Sequence, residues 1–136
     1  MNGPSSASQS NGRTKITGTN GAATDLEALH EEIVNVHTTH AIVEGPNDKR
    51  ALEKLGFTRV THLKGPLYAC IEAIEDEEVL LLTDLDEHGE HLYRRLYDEL
   101  TRRGVRVNNR LRHLLVRTPV RHIEGLAAYL ERMPER

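Results

Sequence analysis

The sequence has a single cysteine and no long apolar run. The first feature argues against a disulfide-stabilised protein, and the second argues against a membrane-spanning one. Cys70 cannot form an internal disulfide, so we expect a reducing compartment such as the cytoplasm. No stretch is apolar over the roughly 20 residues that cross a bilayer, and the N-terminus lacks the basic-then-apolar order of a secretory signal. The sequence therefore predicts a soluble cytoplasmic protein in which Cys70 is a small packed side chain rather than a nucleophile.

The first 24 residues contain no acidic residue and few large apolar ones. They are rich in Ser, Thr, Asn and Gly, and Ile16 is their one large aliphatic residue after Met1. Such a segment cannot bury enough apolar area to offset its loss of conformational entropy. We therefore predict a disordered tail over residues 1–24 and a single folded domain over residues 25–136, whose first helix opens with a capping box at Thr24.

The remaining sequence alternates between strand and helix patterns. Short apolar runs predict four strands, at residues 39–44, 59–63, 79–83 and 105–107. Helical spacing of leucines predicts helices at 48–55 and 67–74, a long helix ended by Gly104, a short helix capped by Asn108 or Asn109, and a last helix at 126–133. This βαβαβαβ order predicts an α/β fold with a parallel sheet of four strands flanked by helices.

Three carboxylates follow the ends of two predicted strands: Glu44 ends the first, and Asp84 and Asp86 follow the third. Ligands of such sheets bind beyond the carboxyl ends of the strands, where these residues converge if the two strands are neighbours. Two like charges about 4 Å apart repel by about 4 kcal/mol at an effective dielectric of 20, and a divalent cation relieves that repulsion. All-oxygen ligation favours Mg²⁺ or Mn²⁺ over zinc.

Positive charge is concentrated in one part of the chain. The segment from Arg94 to Arg121 holds nine arginines and two acidic residues, although the whole chain has a net charge of -3. Guanidinium groups bind phosphates through paired hydrogen bonds, so the segment as a whole predicts phosphate binding. Any single arginine is more simply part of a solvated helix face, paired with an acidic neighbour. The candidate nucleic-acid-binding residues are Lys64, Arg94, Arg95, Arg102, Arg106 and Arg110.

Two other chemistries have weaker support. A tyrosine nucleophile is one, but all four tyrosines lie on predicted helices near apolar residues and are expected to be in the core or half-buried: Tyr68, Tyr93, Tyr97 and Tyr129. Water is therefore the expected attacking group. A transition-metal site is the other, but His88 and His91 have no cysteine or further histidine placed to complete it, so we expect them to face solvent.

The carboxylates, in this order, resemble the motifs of the Toprim domain, which bacterial-type DNA primases, topoisomerases and certain nucleases share. That pattern has a glutamate and a glycine after the first strand and an Asp-x-Asp after the third, here Glu44-Gly45 and Asp84-Leu85-Asp86. Asp48 and Gly89 also fit the pattern, and the resemblance covers about residues 39–107. It implies a Rossmann-like sheet and Mg²⁺ held by the glutamate and the two aspartates. Asp48 would lie beside these ligands without binding the ion itself.

Because the chain is short, it is most similar to the small stand-alone Toprim proteins of archaeal type, whose characterised analogue is the ribonuclease M5 group. Residues 120–126 also look like the end of those proteins, whereas His88 departs from their pattern. The resemblance implies Mg²⁺-dependent hydrolysis or phosphotransfer on nucleic acid, RNA favoured over DNA, with Glu44, Asp84 and Asp86 as catalytic residues. A non-catalytic metal-binding nucleic-acid or ribosome-associated module and a small-molecule phosphohydrolase stay open as alternatives.

Overall fold

A computed structural model describes residues 21–132, which form a four-stranded sheet flanked by helices. The strands are β1 (His40–Val43), β2 (Val60–His62), β3 (Glu78–Leu81) and β4 (Arg106–Val107). Every strand pair is parallel and the order across the sheet is β2-β1-β3-β4. The predicted α/β fold, with four parallel strands flanked by helices, is confirmed.

Helices connect the strands and pack on both faces of the sheet. They are α1 (Gly21–Val36), α2 (Pro46–Lys54), α3 (Leu67–Glu72), α4 (Glu87–Arg102), α5 (Arg110–Val116) and α6 (Leu126–Arg132), and a 3-10 turn (Ile123–Gly125) precedes α6. Gly104 has a φ of +89°, which side chains disfavour, and it follows the end of α4 as predicted. Over residues 21–132, no helix combines the length and apolar character that crossing a membrane requires.

Several predicted boundaries differ from those of the structure. The helix α1 begins at Gly21, so Thr24 lies inside it and the predicted capping box is wrong; alanines at positions 22 and 23 favour this extension. Strand β3 ends at Leu81, although the N–H of Leu82 still donates to the carbonyl of Ile42 at 2.8 Å. Of the predicted tail, residues 1–20 lie outside the described residues, as does position 133 of the predicted last helix.

The core consists of two apolar clusters on opposite faces of the sheet. Successive residues of a strand point to opposite faces, so β1 and β3 supply both clusters. One cluster joins the sheet to α1, α2, α5 and α6 through Ala41, Val43, Leu80 and Leu82. The other joins it to α3 and α4 through Ile42, Val79 and Leu81. Both central strands are therefore buried on both faces, as their continuous apolar sequence predicts.

Candidate metal site

The carboxyl ends of β1 and β3 lie side by side, because the two strands are neighbours in the sheet. Glu44 directly follows β1, and its Oε2 accepts a hydrogen bond of 2.8 Å from the backbone N–H of Asp84. Glu44 thus bridges the ends of the two strands. The first and third strands are neighbours, so the condition under which the sequence predicts that these carboxylates converge is met.

Each aspartate of the Asp84-Leu85-Asp86 loop has one oxygen bound to a backbone N–H group. Oδ1 of Asp84 accepts from the N–H of Ile123 at 2.9 Å, and Oδ1 of Asp86 accepts from the N–H of Gly89 at 2.8 Å, which caps α4. Their Oδ2 atoms lie 3.2 Å and 3.7 Å, respectively, from Nδ1 of His122. One oxygen of each aspartate is therefore fixed, and the other converges on the histidine.

Asp84, Asp86 and His122 form a group of donor atoms that suits a divalent cation. One atom from each lies within 4.8 Å of the other two. Adjacent ligands around an octahedral ion with bonds of 2.0–2.1 Å are about 3 Å apart, close to the separations seen here. The donor set of two carboxylates and one imidazole fits Mg²⁺ or Mn²⁺. Glu44 lies outside this group of three, although its Oε2 is bound to the backbone N–H of Asp84.

Close packing of α4 against the aspartate loop requires a glycine at position 89. A Cβ atom on Gly89 would lie 2.0 Å from the carbonyl oxygen of Asp84, where no side chain fits. The hydroxyl of Thr83 donates to the carbonyl of Gly89 at 2.8 Å and links the two segments further. Gly89 therefore allows the first turn of α4 to fix the loop that carries both aspartates.

Asp48 lies in the first turn of α2 and is buried. Its Oδ2 accepts from the N–H of Gly45 at 3.1 Å, which holds the turn after Glu44. Burial raises the pKa of Asp48, and the negative charge of Asp84 raises it further. Asp48 therefore belongs to the same acidic region as the aspartate loop while supporting the backbone beside it.

Comparisons with known proteins identify the family. The pattern of the Toprim domain matches residues 39–111 of the sequence, slightly more than half of the chain. The chain belongs to the Toprim domain family. Its matched region contains Glu44 and both aspartates, and metal binding through acidic residues is a general property of Toprim domains.

Small archaeal proteins are among the relatives of this Toprim chain. A UPF0292 protein of Methanocaldococcus jannaschii is 33% identical over 115 residues, which cover 79% of this chain and 90% of that protein. A UPF0292 protein of Thermoplasma volcanium is 36% identical over 104 residues, with coverage of 70% and 85%. A solved structure from Aquifex aeolicus has a TM-score of 0.65 and 33% identity, and the match covers 74% of this chain and 96% of that one. The resemblance to small stand-alone Toprim proteins is thus confirmed.

Two residues that sequence reasoning missed lie just beyond the Toprim match. The first is Arg112 of α5, which is only 3% exposed. Its Nη1 donates to the carbonyl of Thr83 at 2.7 Å, and its Nη2 donates to the carbonyl of Asp84 at 3.0 Å and to Oε1 of Glu90 at 3.2 Å. Its guanidinium carbon lies 4.5 Å from the centre of the Tyr93 ring. Arg112 therefore fixes the backbone between β3 and the aspartate loop.

The second missed residue is His122, which precedes the 3-10 turn. The hydrogen bond to Asp84 and the charge of that carboxylate raise the pKa of the His122 imidazole. The sequence prediction of all-oxygen ligation did not include this histidine, whose ring lies among the donor atoms of the acidic group. His88 and His91 are exposed as predicted, and Nε2 of His88 lies 3.9 Å from Oε1 of Glu44.

Most of the predicted nucleic-acid-binding residues form ion pairs with acidic side chains. Within residues 25–131, Lys64 and Arg95 are exposed and form no such pair. The other four predicted residues each form an ion pair: Arg94 with Glu90, Arg102 with Glu99, Arg106 with Glu78, and Arg110 with Glu32. The interpretation of single arginines as paired surface residues thus holds for these four, and phosphate binding stays a prediction.

Two of the four tyrosines are placed as predicted. Tyr93 and Tyr129 are partly buried against the apolar clusters. Tyr68 is 67% exposed and Tyr97 is 36% exposed, so the prediction that they lie in the core or half-buried is wrong for both. Tyr68 lies on α3, where Ile71 is the one buried residue.

Proposed function

We propose that this Toprim protein carries out Mg²⁺-dependent hydrolysis or phosphotransfer on the phosphodiester bonds of nucleic acid, with structured RNA favoured over DNA. The observation that best supports this proposal is the convergence of the free oxygens of Asp84 and Asp86 beside Glu44, at the carboxyl edge of a parallel sheet. Carboxylates without a permanent cationic partner are suited to hold a divalent ion. The cytoplasmic location stays a prediction from the sequence.

In this proposal, Asp84 and Asp86 are the residues that would hold the cation. When bound, Mg²⁺ would supply positive charge to stabilise the negative charge that develops on a phosphate during in-line displacement. Glu44 keeps Oε2 on the backbone of Asp84 and offers Oε1 to the ion or to the proton of an attacking water. Asp48 maintains the turn after Glu44 through its bond to Gly45 and does not touch the phosphate.

The nucleic acid would contact the exposed basic residues near this edge and on α4. Lys64 and Arg95 carry charges without acidic partners among the described side chains, so they are the first candidates for phosphate contacts. Arg94 and Arg102 of α4 would exchange their acidic partners for phosphates. Arg106 pairs with Glu78 at the start of β3, and Arg110 pairs with Glu32 on the same side of the sheet, so only a nucleic acid long enough to reach the edge opposite the aspartates would contact them. Each contact releases counterions, so binding should weaken steeply as salt is added.

Cleavage of a panel of folded RNAs and matched DNAs, with and without Mg²⁺, tests the proposal. The variants Glu44→Gln, Asp84→Asn and Asp86→Asn remove one charge each while keeping an oxygen for the bonds to Asp84, Ile123 and Gly89. Asparagine is also as good an N-cap as aspartate, so α4 is retained. We expect all three variants to fold and to lose cleavage by a factor of about 100 or more, the scale for charge-stabilising groups.

Asp76→Asn is a matched control, because it removes a carboxylate from the opposite edge of the sheet and should leave cleavage unchanged. Equal activity in wild type and all carboxyl-edge variants would refute the proposal. Salt-dependent RNA binding without cleavage would favour the alternative of a non-catalytic metal-binding nucleic-acid or ribosome-associated module. Cleavage of small phosphate esters alone would favour a phosphohydrolase.

A further inference from the structure

The segment that follows the Toprim match is attached directly to the aspartate loop. Residues 118–123 begin after α5 and lead into the 3-10 turn, beyond the matched residues 39–111. The N–H of Leu85 donates to the carbonyl of Arg121 at 2.8 Å, and the N–H of Ile123 donates to Oδ1 of Asp84 at 2.9 Å. These two bonds lie on either side of His122. The backbone of this histidine is thus fixed to the loop that carries the aspartates.

Burial on both sides of His122 makes the attachment rigid. Val120 is 7% exposed and Ile123 is fully buried in the larger apolar cluster. The guanidinium of Arg121 donates to the carbonyls of Thr118 and Val120, both at 2.8 Å, and closes the turn that precedes His122. The imidazole of His122 projects outward, with 60% of its side chain accessible. Its position therefore follows from the fold, while solvent ions can reach its ring.

The ring nitrogen of His122 occupies the position of a third ligand. Nδ1 lies 3.2 Å from Oδ2 of Asp84 and 3.7 Å from Oδ2 of Asp86, and these are the two oxygens that bind no backbone group. Ligands next to each other around an octahedral ion are about 3 Å apart, so one ion can contact all three atoms after small side-chain movements. Histidine is also the commonest metal ligand among side chains.

We propose that His122 is a direct nitrogen ligand of the cation at this site, which raises the affinity of the site for Mn²⁺ and other transition-metal dications relative to its affinity for Mg²⁺. Imidazole nitrogen binds transition metals more strongly than it binds the hard Mg²⁺ ion, which prefers oxygen. The segment after the Toprim match therefore changes the relative affinity of the site for these ions. This inference rests on the proposed function only in requiring that a cation binds.

Pulsed electron paramagnetic resonance of Mn²⁺ bound to the full chain tests this inference directly, because the nitrogen of a coordinated imidazole modulates the manganese signal. We expect nitrogen modulation in the wild type and none in His122→Asn. Mn²⁺ affinity should fall by at least about tenfold in that variant, because removing even an outer-shell partner of a metal ligand costs about that much, and Mg²⁺ affinity should fall less. His122→Gln serves as a second variant, and thermal unfolding without metal verifies that both variants fold.

His88→Asn is the matched control, since His88 is also exposed and lies near Glu44 but outside the three-residue group. It should keep the nitrogen modulation and the Mn²⁺ affinity. Bound Mn²⁺ without nitrogen modulation in the wild type, or modulation that persists in His122→Asn, would overturn the inference and leave the proposed function intact. Modulation without cleavage of any nucleic acid would support the inference and refute the enzymatic proposal, whereas failure to bind Mn²⁺ or Mg²⁺ would refute both.

Discussion

The amino ends of the parallel strands form one edge of the sheet, here called the amino edge, and their carboxyl ends form the carboxyl edge. The two edges stabilise their carboxylates in different ways. At the amino edge, Asp76 accepts hydrogen bonds from His40 at 2.9 Å and from Arg59 at 2.6 Å. Glu78 accepts from Arg106, at the start of β4, and from the amide of Asn108, which directly follows β4. Each of these two acidic residues thus has an arginine of the protein itself as a partner.

At the carboxyl edge, backbone N–H groups take the place of those side chains. Glu44, Asp84 and Asp86 each bind one N–H group, and within residues 25–131 no lysine or arginine pairs with any of them. His122 is the one nitrogen side chain that bridges both aspartates. Backbone groups fix the oxygens without cancelling their charge, so the carboxyl edge is arranged for a cation from solution and the amino edge is not.

Replacing Arg112 with methionine should have the largest effect on this arrangement. The change leaves the carbonyls of Thr83 and Asp84 and the carboxylate of Glu90 without their partner, so we expect a loss of about 3 kcal/mol in the free energy of unfolding. Urea denaturation measures it. Arg95→Met, on the exposed face of α4, should cost less than about 0.5 kcal/mol. Equal losses in the two variants would show that Arg112 does not support the loop.

Gly89→Ala should weaken the carboxyl edge while leaving the amino edge unchanged. The new methyl group would overlap the carbonyl of Asp84, so the loop must move, and we expect a loss of about 2 kcal/mol. Thermal unfolding with and without Mg²⁺ should show a lower Tm and a smaller stabilisation by the ion. Gly125→Ala is the control, because nothing lies within 4 Å of its added methyl group. A normal Mg²⁺ shift in Gly89→Ala would contradict the role of this close contact.

The pairing of Asp76 at the amino edge should make the stability of the protein depend on pH in the acid range. Burial by itself would raise the pKa of Asp76, but the hydrogen bonds and charges of His40 and Arg59 outweigh it, so the pKa is lowered. The stability that Asp76 contributes is complete above its unfolded pKa, near pH 4, and is lost as pH falls through the lower folded value. We expect Asp76→Asn to cost on the order of 1 kcal/mol at pH 7 and to flatten the loss of stability below pH 4. If stability falls below pH 4 equally in Asp76→Asn and in the wild type, the pairing contributes nothing to stability.

Asp48→Asn should have the smallest effect on the free energy of unfolding, and the effect should be a gain in stability and not a loss. The pKa of Asp48 is raised by burial and by the charge of Asp84, so its contribution to stability is present at low pH and declines as pH rises through the folded value. Asparagine can still accept the bond from Gly45, so we expect stability at pH 7 to stay equal or to rise by a few tenths of a kcal/mol. Unfolding at pH 5 and pH 8 measures the difference; a clear loss at pH 8 would show that the charge of Asp48 is needed.

The sequence predicted the parts of the fold that depend on local pattern. The continuous apolar runs located β1 and β3, and the residues after them placed Glu44, Asp84 and Asp86 at one edge. Parallel strands with helical connections have few possible arrangements, but the adjacency of the two strands was a condition of the sequence argument and came from the structure. The fold, and the acidic edge once this adjacency is known, were therefore predictable from residues 39–107.

The remaining parts of the site depend on contacts between distant segments. The bond between Ile123 and Asp84 joins residues 39 positions apart, and those of Arg112 to Leu81 and Thr83 join residues 31 and 29 positions apart. No local pattern specifies such pairs. The sequence did indicate that Arg112 could be buried, because this residue lies between Leu111 and Leu115 on a helix whose buried side includes all three. His122 carried no signal beyond its place in the segment that resembles the end of related proteins.

The bond between Ile123 and Asp84 also bears on the order in which the parts of the molecule form. During synthesis, the aspartate is made 39 residues before its amide partner, and β1, β2, β3 and β4 all precede that partner in the chain. A domain generally folds as a unit, and Ile123 is part of the larger apolar cluster that covers one face of the sheet. The acidic edge can therefore take its final shape only after residue 123 has left the ribosome, so a nascent chain that stops before this residue should lack the complete site.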